Sequence, residues 1–281
     1  MFLLKINRIS LDIPFFCSIF AENNGYMELT VDKMNHDLLG ESAYCNVDGL
    51  KNMDIKMTDL INTDELFNEL MEHVITMFYY GSRVYGTMTD KSDVDIVAIV
   101  DDGIDLSGYV NGIAEFKKDT NDYQFINEST FINMVMEHHI VALEMFWLPS
   151  DLIIKGDVKK YEPYFKLDKW KLRQVVSGIS SNAFAKAHMK MTVEKDYDLY
   201  RGQKSLFHSI RVMVFGIQIA KFGKIVDYQD ANQYWTMIYA MKDSPWEVYK
   251  QTFKPIINQI RSELVVLCPK PDEYINSRLN K

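Results

Sequence analysis

The stretch "DVDIVAIVDD" (93–102) narrows most sharply what this chain can fold into. Its apolar run, Val94, Ile96, Val97, Ile99 and Val100, reads as a strand, yet Asp93 and Asp95 stand at its mouth. Strand interiors disfavour Asp, and a buried carboxylate without a partner is costly or takes up a proton. Successive strand residues point to opposite faces, so the two aspartates project from one face and repel. A divalent cation between them removes that penalty, and Mg²⁺ is the usual hard ion for such oxygen ligands. Two-metal sites use shared carboxylates to clamp the attacking and leaving oxygens of phosphoryl and nucleotidyl transfer.

Upstream stands Gly81-Ser82, with Ser82 eleven residues before Asp93. A glycine ending a strand lets backbone N–H groups approach a phosphate closely, and a helix starting there adds its dipole and the Ser82 hydroxyl. Arg83 supplies a forked donor for phosphate oxygens. Gly86 lets the backbone fold back toward the aspartates. A calcium loop would also hold Asp-x-Asp, but its glycine and distal glutamate are missing at the required offsets.

The surrounding pattern is mixed at first and helical later. "NTDELFNELMEHV" predicts a helix, with Asn62 or Thr63 as cap, Asp64 and Glu65 in the first turn, and Leu66, Leu70 and Val74 on one face. "ITMFYY" reads as a strand broken at Gly81, "SRVYGTM" as a turn or short helix, "DLSGYVNGIAEF" as a helix and "DYQFI" as a further strand. "ESTFINMVMEHHIVALEMFWL" reads as one helix, and four amphipathic helices follow over 166–193, 199–222, 229–241 and 245–265. "LPSDLIIKGD" is a boundary, which puts a catalytic module over 1–150 and a helical substrate module over 151–281. Residues 1–60 form an N-terminal extension of uncertain character.

Charge follows the same division. Residues 1–150 hold 9 Lys/Arg against 25 Asp/Glu (net −16), whereas residues 151–281 hold 22 against 14 (net +8). The acidic part suits metal ions, and the basic part suits an anionic substrate. No apolar run approaches the roughly 20 residues that span a bilayer, and the N-terminal segment lacks a clear cleavage site, so neither membrane insertion nor a signal peptide is expected. Cys17, Cys45 and Cys268 are far apart and odd in number, which argues against a disulfide framework and for a reducing, cytoplasmic compartment.

"GSRVYGTMTDKSDVDIVAIV" resembles the signature of the DNA polymerase beta-type nucleotidyltransferase superfamily, a Gly-Ser followed at this spacing by Asp-x-Asp on a strand. The fuller form, GSR-x-YGT then SD-x-D, is closer to nucleotidyltransferases of phages and of bacterial RNA-repair gene clusters. "VALEMFWLP" and "KSLFHSIRVMVFGIQIAKFGKIVDYQDANQYW" resemble the helical C-terminal part of those proteins, so the likeness covers roughly residues 62–240. The resemblance implies an α/β (α+β) fold with a mixed-sheet core followed by a helical domain. It implies transfer of a nucleoside monophosphate from a triphosphate such as ATP to a hydroxyl acceptor, with release of pyrophosphate. Two Mg²⁺ ions, with Mn²⁺ as a substitute, would sit on Asp93, Asp95 and a third carboxylate, for which Asp122 fits and Asp119 is the alternative. Gly81, Ser82 and Arg83 would hold the triphosphate, and Glu144 would have a supporting role. Helical spacing puts Lys204, His208 and Arg211 on one face, suited to phosphates of the triphosphate or of the acceptor. Kinship and the basic second half favour an RNA acceptor, with tRNA one candidate. A catalytically silent binding or regulatory protein, or an enzyme that modifies a protein as in a toxin–antitoxin pair, is the alternative.

Overall fold

The computed structural model describes residues 63–90, 92–109, 112–242 and 244–271, so the expectations for residues 1–60 lie outside the described residues. Two compact units divide the chain, one ending at Glu72 and one beginning at His73. The described part of the first is helix α1 (Thr63–Glu72), whose Asp64 and Glu65 suit the positive end of the helix dipole. Val74, expected on the apolar face of this helix, opens a strand instead.

The second unit holds a five-stranded mixed sheet and a set of helices. The strands are β1 (Val74–Tyr79), β2 (Val94–Val100), β3 (Ile113–Lys118), β4 (Asn121–Asn127) and β5 (Ile153–Lys155). Their order is β3-β4-β2-β1-β5. β2 lies in the middle, antiparallel to β1 and parallel to β4. That position explains its composition: Ile96 to Val100 are all buried, as in a strand covered on both faces. The fold class read from the sequence is thus the one observed.

Two elements differ from the sequence reading. "DLSGYVNGIAEF" is not a helix: Gly112 takes a positive φ of 68°, and Ile113 onward pairs with β4 as an antiparallel hairpin. The long helix expected from Glu128 breaks into α3 (Glu128–Met136) and α4 (Ile140–Phe146). Between them His138 adopts φ 61°, and its ring caps the turn by hydrogen bonding to the Met136 carbonyl oxygen (3.0 Å) and the Asp168 amide (2.9 Å). The boundary expected near residue 150 falls just before β5, which returns to pair with β1.

The helical part comprises α5 (Lys169–Thr192), α6 (Leu199–Phe222), α7 (Asn232–Ala240) and α8 (Trp246–Leu267). A short helix, α2 (Ser82–Tyr85), follows β1. α6 is the axis of the set. Asp198 caps its start by accepting from the Arg201 amide, and Gly223 ends it in the left-handed conformation. Every residue from Leu206 to Ala220 is buried, because α5, α8, α7 and α4 all pack on it. A Cβ on Gly216 would lie 3.0 Å from Val176 Cγ2, so the glycine permits the close approach of α5 and α6.

Candidate active site

The site is assembled where β1 and β2 meet at the head of the sheet. The ladder between them reaches its last rung where the Tyr80 amide donates to the Asp95 carbonyl (2.9 Å). Gly81 follows at φ 68°, a left-handed conformation that favours glycine, and turns the chain into α2. A Cβ there would lie 2.0 Å from Asp95 Oδ2, so any side chain at Gly81 would displace the carboxylate. Gly86 closes α2 at φ 67°, also left-handed. Ser82 is the first residue of α2, and Arg83 lies over the Tyr79 ring, 4.9 Å from its centroid.

Asp93 stands just before β2, and Asp95 is the second residue of that strand. The parallel register sets Asp95 beside Asp122 on β4, whereas Asp119 lies in the β3–β4 turn at φ 54°. Asp93, Asp95 and Asp122 therefore belong to one end of two adjacent strands. Lys117, opposite Asp122 on β3, bridges the group: its Nζ is 3.3 Å from Asp93 Oδ2 and 3.3 Å from Asp122 Oδ1. Burial, then the neighbouring Asp122 charge, push the Asp95 carboxyl up to about 6; Asp93 adds to the rise, while Lys204 and Lys117 oppose it. Like charges crowd here, and the Lys117 ammonium partly neutralises them.

Does this donor set fit a divalent metal? The three carboxylates are hard oxygen ligands, and a cation already stands between two of them in the form of Lys117. Among the described residues no three His, Cys, Asp or Glu side chains are gathered into a ready cage. Lys117 is largely exposed, so burial does not fix it between the carboxylates.

The three residues singled out on α6 separate. Lys204 is exposed, stacks on Tyr200, and lies within Coulombic reach of Asp95. His208 and Arg211 share its side of the helix but are buried, at 3% and 7% exposure, because the middle of α6 is covered all round. Arg211 Nη2 lies 2.9 Å from His208 Nδ1, and the guanidinium sits over the Tyr85 ring at 3.5 Å from its centroid. Tyr85 donates to buried Glu144. Burial raises the Glu144 carboxyl, against the pull of Arg211 and then of the Tyr85 hydrogen bond. Tyr228 donates to the Glu144 carbonyl (2.6 Å), and Asn232 to the Tyr85 carbonyl (2.8 Å). The helical part thereby grips the helix that bears Ser82 and Arg83. Sequence reasoning missed Lys117 and this grip; a hairpin reading of 113–127 would have exposed the first by setting Lys117 opposite Asp122.

Residues 63–141 match the model of the nucleotidyltransferase domain. Over that stretch, which includes Gly81, Ser82, Asp93, Asp95 and Asp122, the chain is similar to nucleotidyltransferase domains, in support of the DNA polymerase beta-type resemblance. An uncharacterized 38.9 kDa protein from the nrdC-mobD intergenic region of enterobacteria phage T4 is 32% identical over 107 residues, an alignment that covers 34% of this chain and spans only 30% of that relative's length. The solved structure of a nucleotidyltransferase-like protein from Exiguobacterium sibiricum is matched over 73% of each chain at 12% identity and a TM-score of 0.27. Among the described residues no helix is long and apolar enough to cross a membrane.

Proposed function

We propose that the protein transfers a nucleoside monophosphate from a triphosphate to a hydroxyl of an RNA acceptor. The observation that carries this reading is the register of Asp95 beside Asp122, with Gly81 against the Asp95 carboxylate. In the reaction the acceptor oxygen forms a bond to the α-phosphorus, the bond from that phosphorus to the bridging oxygen breaks, and pyrophosphate leaves. Asp122 takes the hydroxyl proton. Gly81 and Ser82 offer backbone and hydroxyl donors to the departing phosphates, and Arg83 offers its fork. Magnesium held by Asp93, Asp95 and Asp122 would supply charge stabilisation at the phosphoryl oxygens, with manganese able to replace it. Lys204 meets a phosphate directly, while His208 and Arg211 act from inside through Tyr85. Residues 1–150 are the catalytic part and residues 151–281 the substrate part.

The test mixes the protein, Mg²⁺ and each labelled triphosphate, with and without total RNA. Label on RNA supports the reading; label on the protein itself moves the acceptor to protein. A second reading, a catalytically silent fold that binds a partner, is favoured by one observation: Lys117 occupies the space between Asp93 and Asp122. No transfer at any metal concentration supports it.

A further inference from the structure

Beside Lys204 lies a row of aromatic rings that the transfer chemistry does not use. Lys204 Nζ is 4.7 Å from the centroid of Tyr200, one turn earlier on α6. The Trp235 ring on α7 is 6.3 Å from Tyr200, 5.5 Å from Phe207 and 5.9 Å from Tyr239 by centroids. Phe207 is buried and supports Trp235 from below, whereas Tyr200 and Tyr239 are 42% and 55% exposed. One exposed tyrosine would need no explanation, but a contiguous row mounted on two helices does. Such rings lose little conformational freedom on binding and present flat π-faces.

The row also has a direction. Asn232, the first residue of α7, is hydrogen bonded to the Tyr85 carbonyl, so α7 starts at the helix bearing Ser82 and Arg83. At about 1.5 Å per residue, Trp235 lies roughly one turn and Tyr239 roughly two turns from that point. Lys204, at the other end of the row, is within Coulombic reach of Asp95. The rings therefore lead away from the carboxylates, on the part of the chain whose net charge is +8.

We propose that Tyr200, Trp235 and Tyr239 form a stacking platform for the bases of a single-stranded RNA acceptor, with Lys204 against a backbone phosphate near its reacting end. This rests on the transfer reading and specifies its acceptor. Single strands are the fitting class because their bases can splay onto aromatic faces, and stacking tolerates any sequence. A duplex hides those faces.

The experiment uses the full chain and a fluorescein-labelled single-stranded oligoribonucleotide of mixed sequence, without Mg²⁺ or triphosphate. Tyr239→Ala and Trp235→Ala should each weaken binding on the order of tenfold, equally at low and high salt. Tyr239→Phe should bind as the parent does, since stacking needs the ring and not the hydroxyl. Lys204→Gln should instead flatten the salt dependence by about one unit. Tyr239 is well exposed, so its variants fold even where Trp235→Ala does not. Unchanged affinity in Tyr239→Ala and Tyr200→Ala overturns the proposal. So does a loss of triphosphate binding with oligonucleotide binding intact, which would give the rings to the incoming base. A dimer that Tyr239→Ala dissociates without changing RNA affinity also overturns it, making this face a contact between copies. Because no turnover is measured, a chain that transfers no label still tests the platform, and a chain without the platform can still transfer label.

Discussion

Asp95 and Lys117 carry opposite electrostatic roles, and their variants should move in opposite directions. Asp95 sits next to Asp122 and near Asp93, where like charges disfavour the metal-free fold. Asp95→Asn should therefore abolish metal-dependent transfer yet hold or raise the melting temperature measured without metal, the usual trade at a functional site. Lys117 compensates Asp93 and Asp122, and burial does not hold it in place. Lys117→Gln should lower the metal-free melting temperature and bind Mg²⁺ or Mn²⁺ several-fold more tightly by calorimetry. Weaker metal binding in this variant would show that the lysine helps to shape the site and does not compete for it.

At the level of elements, the β1–α2 turn is the most demanding. Gly81 combines a left-handed backbone with direct contact against Asp95. Gly81→Ala should destabilise the protein by about 1–3 kcal/mol in urea unfolding, and transfer should fall further than that loss explains, because the carboxylate is pushed aside. Equal activity in folded Gly81→Ala would detach the turn from the chemistry. The β3–β4 hairpin is equally consequential, since its register sets Lys117 opposite Asp122. Its turn places Asp119 at φ 54° without a glycine, so the usual Asn-Gly or Asp-Gly signal is absent. For that reason the segment before it reads as a helix in sequence, while the strand holding Asp122 is recognised from its own residues.

Across the whole molecule, the grip of the helices on α2 depends on buried polar groups. Arg211 offsets the Glu144 carboxylate inside the protein, through the Tyr85 ring that lies between them. Arg211→Met should destabilise the protein by removing the cation that opposes the burial of Glu144, and adding Glu144→Gln should recover part of the loss in urea unfolding. A second global property is acid sensitivity. Burial lowers the His139 imidazole from 6.5 to about 4, so the unfolded chain binds its proton more readily between those values. Its contribution is fully present above pH 6.5 and is lost as pH falls toward 4, on the order of 3 kcal/mol in all. Asp95, raised from 3.8 to about 6, acts in the opposite sense between those two values. His139→Gln should remove the first slope and leave the second, which paired melting curves from pH 4 to 7 would measure. An unchanged profile would mean that His139 is charged in the folded protein.

Strand alternation, glycine punctuation and helical period are local properties, and they were enough for the break at Gly81, for the strand that follows Asp93, for the strand that holds Asp122, for the α/β order, and for the extent of α6. The His138 turn was not legible, since histidine carries no intrinsic demand for a left-handed backbone; its ring finds Met136 and Asp168 only in the folded chain. The burial of His208 and Arg211 was not legible either. Helical spacing names which residues share a side, but packing by α4, α5, α7 and α8 decides which side meets water. The pairing of Lys117 with two aspartates, and the meeting of Tyr200 with Trp235, depend on strand register and on helix crossing, which bring distant residues together only when the core closes.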